Sequence, residues 1–314
     1  MRLLSRLWPE ERIALAYFVA VAALLGALGI SFTVLPLVVE YLKFVAAVTA
    51  VMSPFTIAGW WLRRRRGGFG GRELRADFAT YARTIPALVL TLVAYTNVKT
   101  RILTLNPRLY DRFLERWDAL LHFGGGDLAG FLERHTRDPR ATTYLGLVYF
   151  LAWVPAAVPL GVALGVGGGA AARRAVAALS LAYLAGSFLY VALPSLGPAF
   201  AERARYAHLA GTGSFEMQTT MARSLRYLVE HPHAPAIPFF GIAAFPSLHL
   251  ATSGLGLLLA WRWARAWLWL LVPWNLAIAV AAVWFGWHYI LDFHAGLALI
   301  AGAWWAAGKL TAPG

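Results

Sequence analysis

Two short segments carry residue types suited to nucleophilic and acid–base work: Phe245-Pro246-Ser247-Leu248-His249 and His288-Tyr289-Ile290-Leu291-Asp292. His288 and Asp292 are spaced i and i+4, so on a helix they share one face with Cβ atoms about 5–6 Å apart. At that spacing the carboxylate accepts a hydrogen bond from one imidazole nitrogen and fixes the tautomer. The other nitrogen is then free to act as nucleophile or base. Ser247, preceded by Pro246, occupies an N-cap position, and the amides of such a helix end receive an anionic oxygen. An isolated His-x-x-x-Asp pair has a bland reading, a structural hydrogen bond. A second histidine at the same membrane depth argues against it, because ionisable groups beside lipid are costly unless paired and mark function.

The elements that must hold these residues are membrane helices. Hydrophobic residues make up 60% of the 314-residue chain and charged ones 14%, against about 45–50% and about 25% in soluble domains. The uncharged runs 14–33, 144–172 and 268–287 approach or exceed the roughly 20 residues that cross a bilayer. The expected fold class is all-α: a polytopic integral membrane bundle of about eight transmembrane helices. Their expected bounds are near 12–31, 36–61, 83–102, 143–166, 174–193, 247–263, 267–286 and 288–308. Gly161, Gly165 and Gly167–Gly169 are expected to serve close helix packing and a turn. The absence of cysteine excludes disulfides, thiolate metal sites and a Cys nucleophile.

The net charge of +13 reads as topogenic arginine rather than a nucleic-acid surface. Eight spans place both termini on one side. That side collects Arg2, Arg6, Arg12, Arg63–Arg66, Arg72, Arg75, Arg83, Arg173, Arg174, Arg262, Arg265 and Lys309. Positive-inside bias makes it cytoplasmic. The opposite side, periplasmic, exterior or lumenal, holds every histidine and two long loops, near 103–142 and 194–246, too long for plain connectors. Residues 108–121 have helical spacing of apolar and charged residues; the helix either lies on the membrane or is a solvated surface helix. Glu40 and Lys43 read as a mutually neutralising pair, His231-Pro232-His233 as loop, and Trp60-Trp61 and Trp304-Trp305 as interfacial anchors. Two parts follow: residues 1–80, two helices and an arginine-rich loop, and residues 81–314, a six-helix core.

Pro246-Ser247-Leu248-His249 and His288-Tyr289-x-x-Asp292-x-x-x-Gly296 resemble the two signature motifs of the type 2 phosphatidic acid phosphatase superfamily. Within it the chain is most similar to the branch of inositol phosphorylceramide synthase and related sphingolipid head-group transferases. Leu248 stands where lipid phosphatases usually have glycine, and His288-Tyr289 replaces their plainer motif. Leu193-Pro194-Ser195-Leu196-Gly197-Pro198 resembles the turn before the transferases' long outer loop. Tyr110-Asp111 and Trp117-Asp118 through Phe123-Gly124 resemble their first outer segment. The likeness spans about residues 95–300. The chain departs from the phosphatase pattern at Ala281 and Ala282, where that pattern has Ser-Arg, and at Lys99 through Asn106-Pro107, with Asn for Arg.

The resemblance implies that His288 attacks phosphorus to form a phosphohistidine, that Asp292 orients it, and that His249 protonates the leaving alkoxide and then serves as base. Ser247, Lys99 and Arg101 are the expected phosphate-binding residues. No cofactor and no metal are required, since hydrogen-bond donors can stabilise the phosphoryl charge; zinc held by His249, His288, Asp292 and His294 is the metal alternative. The expected partners are a phospholipid donor and a lipid-alcohol acceptor, without nucleic acid. Three rivals stand beside this expectation: a lipid phosphate phosphatase with water as acceptor, a transporter using Glu40, Lys43, Asp292 and His294, and a serine hydrolase using Ser247 with His288.

Overall fold

The structure is a computed structural model that describes residues 6–67, 69–121, 139–151, 153–239 and 241–312. The described residues are helical, without a strand. The principal helices are α1 (Pro9–Ala27), α2 (Leu35–Arg65), α3 (Gly71–Lys99), α4 (Asp111–Leu121), α5 (Pro139–Phe150), α6 (Trp153–Ala192), α7 (Gly213–Glu230), α8 (Leu248–Trp263), α9 (Leu268–Trp284) and α10 (Ile290–Leu310). Among the described residues, five segments are long and apolar enough to cross a membrane: Leu35–Arg65, Gly71–Lys99, Ala157–Ala192, Arg265–Trp284 and Ile290–Leu310. The helix near the first expected span, α1, opens with Glu10, Glu11 and Arg12, and α8 has only 16 residues.

The centre of the bundle is α6, which packs against α2, α3, α8, α10 and α1. Its axis breaks at Gly168, where φ is 60° and ψ is −151°, a backbone region that suits glycine. Before the break, a Cβ on Gly59 or Gly165 would lie 2.8 Å from the Cα of the other, so α2 and this limb meet backbone to backbone. After the break, Ser180 bonds Thr91 and Asn106 bonds the Val191 carbonyl, both at 2.8 Å. Gly161 meets Met52 and Phe55, whereas Gly168 sits against Arg63 and Asp77. Both limbs therefore rise from Gly168 toward the same end of the bundle. The limbs join without a loop; the expected fifth span, 174–193, lies on the second limb, whereas the expected fourth, 143–166, is divided between α5 and the first.

The turn end is the arginine-rich end. Arg63 donates to Asp77 at 2.8 Å, and the Gly169 amide donates to the other Asp77 oxygen at 2.8 Å. Arg173 pairs with the fully buried Glu10 at 2.8 Å. Tryptophans cluster here with cations on their faces: Arg65 over Trp61, Arg174 over Trp304 and Lys309 over Trp305, all within 4 Å of the ring centre. Glu40 and Lys43 pair with each other at 2.7 Å on an exposed surface, as expected from their spacing.

The segment from 194 to 246 is internally structured. It contains a turn ending at Gly197, a 3-10 stretch at Arg203–Leu209 and the amphipathic helix α7, whose Thr212 caps the first turn. Helix α4 realises the expected 108–121 helix, starting three residues later. Much of the other long loop, with His122, Phe123, Gly124 and His135, lies outside the described residues.

Candidate active site

The chain enters α8 through a cis Phe245–Pro246 peptide, and Ser247 is the N-cap. Its side chain accepts the Leu250 amide at 3.3 Å, satisfying a donor of the first turn that has no partner within the helix. Helix α10 begins two residues after His288, with Tyr289 at its N-cap and Asp292 in its first turn. Both starts lie at the end of the bundle opposite the Arg63–Asp77 pair. Gly296 makes their approach possible, since a Cβ there would run into the Ser247 carbonyl oxygen.

His288 and Asp292 meet, with Nδ1 3.1 Å from the carboxylate, although His288 precedes α10 instead of sharing a helix face with Asp292 as expected. The same carboxylate oxygen accepts the Tyr289 amide at 2.9 Å. Asp292 is fully buried, and its second oxygen has no hydrogen-bond partner among the described residues. With Nδ1 committed to Asp292, Nε2 of His288 lies 3.3 Å from the buried Ser247 hydroxyl. His249 stands across from it, ring centres 6.1 Å apart at 72°. His249 is exposed and His288 buried. Tyr149 lies 5.9 Å from the His249 ring and stacks parallel to Trp287 at 5.9 Å, forming an aromatic wall on that side.

Of the expected phosphate-binding residues, Ser247 stands between the helix end and His288. Lys99, the last residue of α3, acts electrostatically on both histidines. Its ammonium lies 5.6 Å from the Tyr95 ring and makes no hydrogen bond or ion pair among the described residues. Arg101 is fully buried and donates to the Ala234 carbonyl, with Nε and Nη1 unpartnered. His294 is exposed, its Nδ1 3.2 Å from the Ile290 carbonyl. Among the described residues no three His, Asp or Glu side chains converge as metal ligands. Ala281 and Ala282 are buried in the apolar core between α9 and its neighbours.

Two acidic residues that sequence reasoning left without a role brace this site from α4. Asp111 accepts the Gly197 amide at 2.8 Å, the Leu196 amide at 3.1 Å and the Tyr289 hydroxyl at 3.3 Å. Burial pushes its carboxyl above the usual aspartate range, against the opposing pull of these donors. Asp118 accepts the Leu291 amide at 2.6 Å, satisfying a free donor in the first turn of α10. The signal was their i, i+7 spacing, which puts both carboxylates on one helix face.

No curated protein and no solved structure matches this chain. The PAP2 superfamily sequence model matches residues 112–306, from the start of α4 nearly to the end of α10. That stretch contains the Ser247–His249 and His288–Asp292 segments and the turn that Asp111 holds. By this match over more than half of its length, the chain belongs to the PAP2 superfamily.

Proposed function

We propose that the protein is a membrane phosphotransferase that moves a phosphate-linked head group, phosphoinositol, from a phospholipid to a lipid hydroxyl of the ceramide or polyprenol type. The observation that carries this reading is the orientation of His288. Asp292 holds Nδ1, and Nε2 is directed at the Ser247-capped end of α8, where a phosphoryl group would meet helix amides and a serine hydroxyl. In the first step Nε2 attacks phosphorus, the P–O bond to diacylglycerol breaks, and His249 gives its proton to the departing oxygen. In the second, His249 takes the proton of the incoming hydroxyl, whose oxygen attacks phosphorus and releases His288. Lys99 supplies the positive charge and Ser247 a hydroxyl donor, while Arg101 is held away at the Ala234 carbonyl; the histidines themselves supply acid, base and nucleophile.

Charge favours a diester substrate. A phosphomonoester carries close to two negative charges at neutral pH, whereas a phospholipid diester carries one. The positions where the phosphatase pattern has Ser-Arg are the buried Ala281 and Ala282, and Lys99 is the cation acting on both histidines. One such cation suits a monoanion.

In this reading eight helices span the membrane, the arginine-rich end and both termini are cytoplasmic, and the site works at the opposite leaflet. Helix α4 lies in that leaflet's interface, with Phe113, Trp117 and Leu120 exposed on the side away from Asp111 and Asp118. The test is incubation of purified protein with radiolabelled phosphatidylinositol and a panel of lipid alcohols. Labelled head group on a new lipid supports transfer. Inorganic phosphate released from a phosphomonoester lipid, without transfer, would show a phosphatase.

A further inference from the structure

His249 lies in the first turn of α8 and His288 just before α10, and their rings face each other 6.1 Å apart. Their separation is set by the backbone that carries them. The turn Pro194–Gly197 touches both carriers. On one side the Ser195 carbonyl accepts the Ala244 amide at 2.9 Å, and the Ser195 hydroxyl accepts the Phe245 amide at 3.0 Å, two residues before Ser247. On the other side Gly197, at φ 93°, is so close to the residue before His288 that a Cβ would lie 2.6 Å from the Trp287 carbonyl oxygen. The Ala199 amide donates to the Gly286 carbonyl at 2.9 Å. Asp111 closes the arrangement, taking the Leu196 and Gly197 amides together with the hydroxyl of Tyr289, the residue after His288.

We propose that Asp111 is a positioning residue that sets the separation of His249 and His288 by clamping the Ser195–Gly197 turn to Tyr289. The proposal rests on the reading of His288 as nucleophile and His249 as general acid. An ionised carboxylate only accepts, and all its neighbours here donate. An asparagine would turn its NH2 group toward at least one of those donors and release the turn. The His288–Asp292 contact is local, across the capped start of α10, and would survive. The distance to His249 would not. A misplacement of about 1 Å costs on the order of 10²-fold in rate, and here it falls on the step that needs His249's proton.

The test uses full-length protein in lipid nanodiscs with two donors, phosphatidylinositol and a nitrophenyl phosphodiester of the same head group, whose phenolate leaves without a proton. Asp111→Asn should lose about 10²-fold in kcat on the lipid at little change in KM, and far less on the nitrophenyl diester. Tyr289→Phe, which removes only the hydroxyl, should shift the ratio of the two rates in the same direction by a smaller factor. It decides the matter should Asp111→Asn fail to fold. A merely structural role predicts equal losses on both donors, tracking the folded fraction measured by thermal unfolding. His288→Ala separates the possible failures. Nitrophenyl cleavage that survives it overturns the proposed function, whereas a wild-type ratio in Tyr289→Phe beside a dead His288→Ala overturns the role of Asp111.

Discussion

The backbone carbonyl of Asp292 accepts the amide of Ser247 at 3.0 Å, so the residue that orients His288 also anchors the start of the helix carrying His249. Side chain and main chain of one aspartate thus reach both halves of the site. Substitutions at the side chain should perturb the His288 tautomer, whereas changes that part the two helix ends should perturb the distance between the histidines.

Gly296 tests the second kind of change. Its missing Cβ is what lets α10 lie against the Ser247 carbonyl. Gly296→Ala should destabilise the protein by about 1–3 kcal/mol, the usual cost of overpacking, and lower turnover more than substrate binding. Gly302→Ala, in the same helix with open space around it, should be silent in both assays. Thermal unfolding and initial rates in nanodiscs measure the pair. Equal behaviour of the two variants would contradict the close approach.

The two histidines should separate by leaving group. His288→Ala should lose activity on every donor, on the order of 10⁴-fold or more, as when a triad member is removed. His249→Ala should lose about 10²–10⁴-fold on the lipid, whose alkoxide needs a proton, yet recover much of its cleavage of a nitrophenyl diester. Asp292→Asn should resemble a milder His288 lesion on both. Rescue of His288→Ala by the good leaving group, with His249→Ala dead on both, would exchange the two roles.

Much of this was legible because helix spacing and helix starts are local. The cap at Ser247 needs only one turn of chain and formed where it was expected. His288 and Asp292 also meet, but across the start of α10 and not along its face. What was not legible is tertiary. The role of Asp111 depends on donors 85 or more residues away, which no local pattern announces. Arg101 lies only two residues from Lys99, yet it is buried against the Ala234 carbonyl, because two steps past a helix end turn a side chain by about 200°, to the opposite side. The direct junction at Gly168 was hidden for a different reason: a glycine run announces a turn, but its length depends on packing against Arg63, Asp77 and Thr80.

Orientation can be read by labelling. In the proposed topology a membrane-impermeant thiol reagent should reach Gly213→Cys, at the exposed start of α7, but not Arg66→Cys, at the end of α2. The chain has no cysteine of its own to interfere. The reverse pattern would move the site to the cytoplasmic leaflet.

Activity should peak near neutral pH with acid and alkaline limbs, and should survive chelator. The first step needs His288 neutral and His249 protonated, a state favoured once an anionic phosphate is bound. The sign is fixed by these roles: acid removes the nucleophile and alkali removes the proton donor. Loss of activity in chelator, restored by zinc, would overturn the phosphohistidine route.

The central claim is that the head group passes through His288, and trapping it there is the most direct measurement. Protein incubated with ³²P-labelled phosphatidylinositol without an acceptor alcohol, then denatured in alkali and digested, should carry label on the peptide containing His288. That label should be lost in mild acid, as a phosphorus–nitrogen bond requires, and discharged by adding lipid alcohol before the quench. The His288→Ala protein should carry none. Acid-stable label on the Ser247 peptide, or turnover of donor by a protein that never acquires label, would contradict the account.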